Sequence, residues 1–503
     1  MLFNSYIFLV VYLPITVVVY FYLARYHNPL STVWLILMSF LFYATWNPHD
    51  ILLILSSIAF NYVIVSFINR LDEASRFRLI ILIIGITINL IPLLFFKYYY
   101  FIISNLSILF KFDFISNSQN LPLGISFFTF IQIAMLVDVY RSTATKLKIL
   151  PYALFVTYFP HLLAGPIVHH NQLIPQIEDI TRRRINWTNV AMGLSLFVLG
   201  LTKKVVLGDE FAIYSNDYFD NTNKINNTNL ITTWLGVLSF TFQIYFDFSG
   251  YSDMAIGISL IFNIILPYNF NSPYKSKDLI NFWRNWHITL SNFLKDYLYI
   301  PLGGNKKGHL QKYKNLFITM VLGGLWHGAN WTFLFWGMLH GIGLIINHMI
   351  KQLLGFLNLN NLRAGWLPLF HLQTTILTFV WVMTAWVFFR ANNLSDAIAI
   401  IENMYGFNPA IETISSEDSS ITIFQTLNNY YQMRNISFRR MTAFIILASV
   451  IIWFAPNAQS IMFNRNIGIR WSASLIPLTL TIILLAYSFI KLNNTSQFIY
   501  FQF

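Results

Sequence analysis

Residues 316–350 read LFITMVLGGLWHGANWTFLFWGMLHGIGLIINHMI. This long apolar stretch carries His327 with glycines on both sides, Gly323 and Gly324 before it and Gly328 after. A helix needs about 20 residues to cross the hydrocarbon layer of a bilayer, and the stretch exceeds that. An ionisable side chain at membrane depth is costly, and it is a functional candidate by default. The glycines let other backbone, or a substrate, approach the ring closely. Imidazole is also the side chain best placed for proton transfer near neutral pH. His340 and His348 lie on the same stretch and read as packing or hydrogen-bonding groups.

The whole chain has the same character. Its 503 residues are 56% hydrophobic and only 10% charged. A soluble globular chain carries about 25% charged residues, so most of this one belongs in lipid. An aromatic share of 18%, with 48 Phe, fits lipid-facing helices and interfacial belts. The net charge of +12 comes from 32 Lys+Arg against 20 Asp+Glu. These cations sit in short loops between apolar runs, which reads as positive-inside bias and not as a nucleic-acid surface. There are no cysteines, which excludes disulfides, thiolate catalysis and cysteine-ligated metal.

Apolar segments lie near 6–24, 32–46, 50–69, 78–96, 122–140, 188–206, 230–246, 316–350, 370–389, 441–455 and 472–490. Several are short, or broken by pairs such as Gly165-Pro166, Gly303-Gly304 and Gly323-Gly324. Broken backbone at membrane depth is tolerated only where protein or a water-filled cavity covers it. The expected fold is therefore all-α: a polytopic membrane helix bundle with short, tilted and re-entrant helices around a central cavity. Residues 6–24 read as an uncleaved first span. Arg25 follows that span, the 46–50 loop has no Lys or Arg, and the next loop carries Arg70, Arg76 and Arg78. That alternation puts the N-terminus outside the cytoplasm. Arg465 and Arg470 precede the last span and only Lys491 follows it, which puts the C-terminus outside as well. The Asn- and Ser-rich stretches 113–121, 216–229 and 406–437 read as loops, and no fixed-period repeat is present.

A second histidine lies in Phe282-Trp283-Arg284-Asn285-Trp286-His287. On a helix, Trp283 and His287 share a face at i,i+4. A core histidine is one reading, a functional one the other. Between the two histidines runs a basic segment with Lys275, Lys277, Arg284, Lys295, Lys306, Lys307, Lys312 and Lys314. Its Gly303-Gly304-Asn305-Lys306-Lys307-Gly308 turn can present N–H groups and ammoniums to a phosphate, although a positive-inside loop fits equally well. Asp247, Asp253 and Asp138 read as helix-pairing groups. His161, His169 and His170 have no carboxylate or thiolate partner evident in the sequence, so no metal site is expected.

Together these motifs resemble the membrane-bound O-acyltransferase (MBOAT) family. Its pattern is carried by Pro122-Leu123-Gly124-Ile125-Ser126-Phe127-Phe128, Ala164-Gly165-Pro166-Ile167, and Gln243-Ile244-Tyr245-Phe246-Asp247-Phe248-Ser249-Gly250-Tyr251-Ser252-Asp253. Phe282 to His287, Tyr299-Ile300-Pro301-Leu302-Gly303-Gly304, Leu325-Trp326-His327-Gly328-Ala329 and Phe388-Phe389-Arg390-Ala391 continue it. The resemblance runs from Leu2-Phe3-Asn4-Ser5-Tyr6 to about residue 400, and the bacterial polysaccharide O-acetylation branch looks most similar. Asn285 departs from the pattern, which more often has Arg there.

The resemblance implies that His327 is catalytic and His287 supports it. It implies an acyl group taken from a cytoplasmic thioester, acetyl-CoA in this branch, and delivered to a hydroxyl outside. Lys275, Arg284, Lys306 and Lys307 would hold the CoA phosphates. An esterase-like extracytoplasmic partner and a cell-envelope polysaccharide or peptidoglycan would complete delivery, and the location would be a bacterial cytoplasmic membrane. Residues 498–503, Phe498-Ile499-Tyr500-Phe501-Gln502-Phe503, look like the Phe-x-Tyr-Phe-x-Phe motif of the small partner peptide in teichoic-acid D-alanylation systems. That divides the chain into a membrane domain, 1–497, and an acceptor-like segment, 498–503, with Tyr500 as a transient acyl carrier. Six residues at about 3.3 Å each can fold back roughly 20 Å; an aromatic interfacial anchor is the competing reading. Transfer of another acyl group, such as D-alanyl from a carrier protein, is an alternative. A histidine-relay transporter and an envelope scaffold are readings from other classes.

Overall fold

A computed structural model describes the chain except for residues 27, 115–120, 143–146, 222–229, 357–366, 408–430, 432–436, 464–470, 473, 493–495, 497 and 500–503. Among the described residues every regular element is helical. In chain order these are α1 (Leu13–Tyr26), α2 (Asn28–Ala44), α3 (Asp50–Arg70), α4 (Arg76–Leu93), α5 (Tyr99–Phe110), α6 (Ile125–Tyr140), α7 (Ile149–Thr157), α8 (Phe159–Leu162), α9 (His170–Glu178) and α10 (Trp187–Thr202). There follow α11 (Asp209–Phe219), α12 (Leu230–Ile261), α13 (Leu279–Asn285), α14 (Ile288–Leu294), α15 (Gly308–His327) and α16 (Trp331–Phe356). The last are α17 (Leu367–Arg390), α18 (Leu394–Tyr405), α19 (Phe438–Phe454), α20 (Ala458–Phe463) and α21 (Leu475–Lys491). Four π-helical segments, Phe8–Tyr12, Leu94–Tyr98, Lys203–Gly208 and Lys295–Tyr299, interrupt or join them.

Among the described residues, six helical segments are long and apolar enough to cross a membrane: Phe8–Tyr26, Asp50–Arg70, Arg76–Phe110, Trp187–Phe219, Trp331–Phe356 and Leu369–Arg390. Shorter apolar helices cover Pro29–Ala44, Ile125–Tyr140 and Leu475–Lys491. Large apolar side chains stand on their outer faces, as with Leu475, Ile476 and Ile490 on α21, where lipid and not water is their natural solvent. The protein is a multi-pass, all-α membrane protein, the class expected from composition. The 316–350 stretch is two helices rather than one run, because Gly328-Ala329-Asn330 leave the helix between α15 and α16. The polar stretch read as a loop from residue 216 begins inside α11, which runs to Phe219.

The helices fall into two compact units. The first comprises residues 1–201, 251–269 and 462–492. In lipid, apolar burial does not drive helices together, so packing and interhelical hydrogen bonds must. Gly85 on α4 sits so close to α6 and α3 that a Cβ there would lie 2.8 Å from Leu136 Cδ1 and 3.1 Å from Ile64 Cγ2. Asn61 and Asn89 exchange side-chain hydrogen bonds of 2.9 and 2.7 Å between α3 and α4; such bonds contribute about 0.6 kcal/mol on average in a membrane. His170 Nδ1 lies 3.1 Å from Asp138 Oδ2. This corrects the expectation that the histidine cluster lacks a carboxylate: the partner is on α6, far off in sequence.

The second unit comprises residues 202–250, 270–461 and 493–503. Asp247 on α12 lies 2.7 Å from Lys204 Nζ, so this aspartate pairs helical segments as expected. Arg440 on α19 reaches Glu210 on α11, Nη2 to Oε2, at 2.5 Å. The hairpin of α15 and α16, with α13, α14 and α17 against it, carries the candidate site histidines, His287 and His327.

Candidate active site

The α15–α16 hairpin is closed by missing side chains. A Cβ on Gly324 would lie 2.3 Å from Phe333 O, and one on Gly337 would lie 2.5 Å from Met320 O. The two backbones therefore touch, as small residues permit in membrane helices. A Cβ on Gly328 would lie 2.1 Å from the Phe333 ring. His327 is the last residue of α15, so its ring sits at the hairpin's turn. It is buried, and three rings meet it edge-on: Trp326 at 4.9 Å, Trp336 at 5.0 Å and Phe389 at 5.1 Å between centroids.

His287 arrives differently from the expected i,i+4 arrangement. The helix breaks after Asn285, Trp286 is extended, and His287 has φ 43° and ψ 53° before α14 begins. The carbonyl of Asn285 accepts the Asn271 N–H at 2.9 Å, so it is not left for a helical partner. Left-handed backbone at a β-carbon-bearing residue costs roughly 1–2 kcal/mol, and such strain concentrates at functional sites. The break turns His287 away from Trp283. Its ring lies 4.7 Å from Phe248 and 6.3 Å from Trp326. Trp326 thus touches both histidines. His287 is outside the six candidate spans, and its complete burial pushes the imidazole down to about 3, because desolvation penalises the cation. The buried ring is neutral near pH 7.

Trp283 serves His340 instead. Its indole N–H donates to His340 Nδ1 at 3.2 Å. An indole is a donor only, so His340 Nδ1 accepts and the ring is neutral with its hydrogen on Nε2. Trp336 lies between the two rings, 4.8 Å from His340 and 5.0 Å from His327. His340 is therefore a packing and hydrogen-bonding residue behind the aromatic wall of His327.

Among the described residues, two cavities approach this wall, one through Phe389 and the other through Trp283, and neither His287 nor His327 is among their lining residues. One, of about 550 Å³, is lined by Trp283, Arg284, Lys295, Asn305, Lys312 and His348 among others. Of the residues expected to hold a thioester's phosphates, Arg284 lines it. Lys306 and Lys307 are exposed, directly after the lining residue Asn305. Lys275 is elsewhere, donating to the Ala455 carbonyl at 2.8 Å. Lys295 and Lys312, counted in the basic segment but given no role there, line the cavity. Lys312 was legible: with Leu316, Thr319 and Met320 it forms one helical face that lines the space. The Gly303–Gly304 turn is tied to α15 by buried Asn315, whose Nδ2 donates to Gly304 O at 2.9 Å. Both glycines have positive φ, 109° and 53°.

The other cavity, of about 470 Å³, is lined by Asn216, Asp220, Asn330, Phe389, Arg390 and Asn392 among others. Arg390 donates to Asp220 Oδ1 at 2.7 Å and Asn216 Oδ1 at 3.0 Å. Phe389-Arg390 belongs to a motif without an assigned role in the sequence; the structure gives Phe389 to His327 and Arg390 to this cavity. The cavities sit at different heights on the hairpin. From Met320, in the basic cavity, to Gly328, in the polar one, is about 12 Å of helix; from Phe333 to Leu344 is about 17 Å.

Tyr500 lies outside the described residues. Its neighbours do not. Phe498 and Ile499 are buried, the Phe498 ring is 6.0 Å from Phe248, and the Ile499 N–H donates to Asp247 Oδ2 at 2.8 Å. Phe248 in turn bears on His287. Among the described residues no group of three or more His, Asp or Glu side chains could hold a metal ion.

Residues 84–384 match the family model of the membrane-bound O-acyltransferases. The matched part includes both histidines and the walls of the basic cavity. The chain is 38% identical to a peptidoglycan O-acetyltransferase of Helicobacter pylori over 532 aligned residues, covering 100% of this chain and 98% of that one. It is 39% identical to a probable alginate O-acetylase of Pseudomonas aeruginosa, covering 81% and 75%. A teichoic acid D-alanyltransferase of Streptococcus thermophilus is 27% identical over 49% of this chain and 61% of its own length.

Proposed function

The chain belongs to the membrane-bound O-acyltransferase family, and on that basis we propose that it is an O-acetyltransferase that takes acetyl from cytoplasmic acetyl-CoA and passes it toward a hydroxyl of an extracytoplasmic glycan. One observation carries this reading: a buried histidine at a hairpin turn, walled by aromatic rings, of which Phe389 lines a polar cavity and Trp336 packs on Trp283, which lines a basic cavity at a different height. Arg284, Lys295 and Lys312 match the phosphates of a CoA thioester, with Lys306 and Lys307 at the rim. Lys275, engaged by the Ala455 carbonyl, holds the segment that leads to Arg284.

His327 acts as the general base. The acceptor oxygen attacks the thioester carbonyl carbon while its proton passes to His327. The C–S bond breaks, and the thiolate leaves with that proton, regenerating the neutral imidazole. Aromatic burial excludes water and so prevents hydrolysis of the thioester. Such a base contributes typically 10²–10⁴-fold to rate. His287, neutral and fixed by its backbone, positions the reacting carbonyl through the wall it shares with His327. Tyr500 is the first acceptor: it receives acetyl as a phenolic ester and surrenders it to the next hydroxyl. An esterase-like extracytoplasmic protein is the partner for that second transfer, with peptidoglycan or another envelope polysaccharide as its final acceptor. The enzyme's place is then a bacterial cytoplasmic membrane, with both termini outside.

The test is transfer of radiolabelled acetyl from acetyl-CoA by the purified protein. His327→Ala is expected to lose at least 100-fold in rate, and mass spectrometry of a trapped reaction is expected to find acetyl on Tyr500. Unchanged transfer by His327→Ala would overturn the assignment of the base. The partial match to a D-alanyltransferase keeps a second donor in view: dependence on a D-alanyl carrier protein, with acetyl-CoA inert, would favour it.

A further inference from the structure

One buried cluster has no part in the acyl transfer described above. Lys204, Asp209 and Asp247 are each at least nine-tenths buried, and one ammonium there faces two carboxylates. Lys204 Nζ donates to Asp209 Oδ1 at 2.6 Å and lies 2.7 Å from Asp247 Oδ1. Its remaining bonds go to Ser496, to the carbonyl at 3.1 Å and to Oγ at 3.2 Å. Ser496 answers with its own donors: its N–H reaches Asp209 Oδ1 at 3.2 Å and its hydroxyl reaches the same oxygen at 2.6 Å. Three residues on, the Ile499 N–H fills Asp247 Oδ2 at 2.8 Å. Among the described residues of 496–499, every partner of the cluster except one hydroxyl is a main-chain group. The cluster therefore reads peptide backbone. A carboxylate buried without donors is costly, and the segment supplies three.

The placement of the cluster matters as much as its chemistry. Lys204 lies in the π-helical segment Lys203–Gly208, a form that recurs at functional sites. Gly208 lets that segment lie on α12, since a Cβ there would be 3.2 Å from Asp247 N. Asp247 holds Ile499, while the next residue, Phe248, packs on Phe498 at 6.0 Å and on His287 at 4.7 Å. One dipeptide of α12 thus grips the segment and braces the histidine.

We propose that Lys204, Asp209 and Asp247 form a clamp for the backbone of Ser496 and Ile499, and that these three are positioning residues which fix the point from which the next residue, Tyr500, reaches the histidines. The inference rests on the reading of Tyr500 as first acceptor, but the clamp is measurable without it. The experiment is hydrogen exchange of the full-length protein in detergent, followed by mass spectrometry of peptides covering 495–503 and α15–α16. Asp247→Leu and Ser496→Ala are compared with Ser496→Thr, which keeps the hydroxyl. Exchange over 495–503 is expected to rise at least tenfold in Asp247→Leu and at least threefold in Ser496→Ala, to stay at the parent level in Ser496→Thr, and to be unchanged over α15–α16. With acetyl-CoA as donor, kcat is expected to fall at least tenfold in Asp247→Leu with KM within twofold of the parent. Unchanged exchange over 495–503 in both variants overturns the clamp. Should Asp247→Leu fail to fold, equal exchange in Ser496→Ala and Ser496→Thr overturns it. Release of the segment with undiminished turnover leaves the clamp standing and sinks the acceptor role of Tyr500.

Discussion

At the scale of single residues, His287 joins strain to burial, and both have a measurable consequence. Its ordinary value of 6.5 falls to about 3 in the folded protein. Above pH 6.5 the ring is neutral in both folded and unfolded chains, so it adds no pH dependence. As pH falls below 6.5 the unfolded chain takes up a proton that the folded one refuses, and stability is lost down to about pH 3. The loss approaches about 1.4 kcal/mol per pH unit. His287→Asn keeps a residue that tolerates left-handed backbone and removes the titration. Thermal unfolding in detergent at pH 7 and pH 5.5 is expected to show the parent losing about 1 kcal/mol more than His287→Asn; parallel losses would contradict the burial argument. Both histidines stood out in the sequence as candidates, His327 because imidazole is rare at membrane depth and His287 because of the indole-flanked motif it ends. The geometry of His287 was not. No proline or glycine marks the break, which comes from Asn271 taking the Asn285 carbonyl across the fold.

At the scale of elements, the hairpin depends on which glycine is where. Gly323 and Gly324 are neighbours with opposite surroundings. A Cβ on Gly323 meets only Leu294 Cδ1 at 3.1 Å, the end of a flexible side chain, whereas on Gly324 it meets the Phe333 carbonyl at 2.3 Å. Backbone cannot swing aside as a leucine tip can. Gly324→Ala is expected to cost about 1–3 kcal/mol by overpacking and to displace His327, lowering turnover at least tenfold. Gly323→Ala is expected to stay within about 0.5 kcal/mol of the parent. Melting temperature and acetyl transfer check both, and equal effects of the two substitutions would reject the packing account. The sequence showed these glycines as breaks in an apolar run, because composition reveals small residues. It did not show which one carries the interhelical contact, since that depends on the register of α15 on α16. The basic segment was visible too, and the helical face shared with Leu316, Thr319 and Met320 could have set Lys312 apart, whereas nothing in the sequence separated Lys295 from Lys306 and Lys307.

At the scale of the molecule, composition alone placed the chain in lipid, and the helices bear that out. What composition could not supply is which cavity meets which substrate. Within the second unit the basic cavity and the polar cavity are about 12–17 Å apart along the hairpin, so a membrane-impermeant donor should reach only one. The donor carries several negative charges, and short cytoplasmic loops are the basic ones; acetyl-CoA should therefore enter beside Arg284, Lys295 and Lys312. Exchanging Lys295 and Lys312 together for alanine is expected to raise KM for acetyl-CoA about tenfold with kcat within twofold, and to flatten its dependence on salt, because screened ion pairs are what is lost. In sealed proteoliposomes, external acetyl-CoA should acetylate only molecules whose exposed Lys306–Lys307 turn can be labelled from outside with an impermeant amine reagent. Detergent permeabilisation should recruit the remainder. Acetylation of molecules whose turn is shielded would place the donor at the polar cavity instead, and would reverse the direction in which acetyl crosses the membrane.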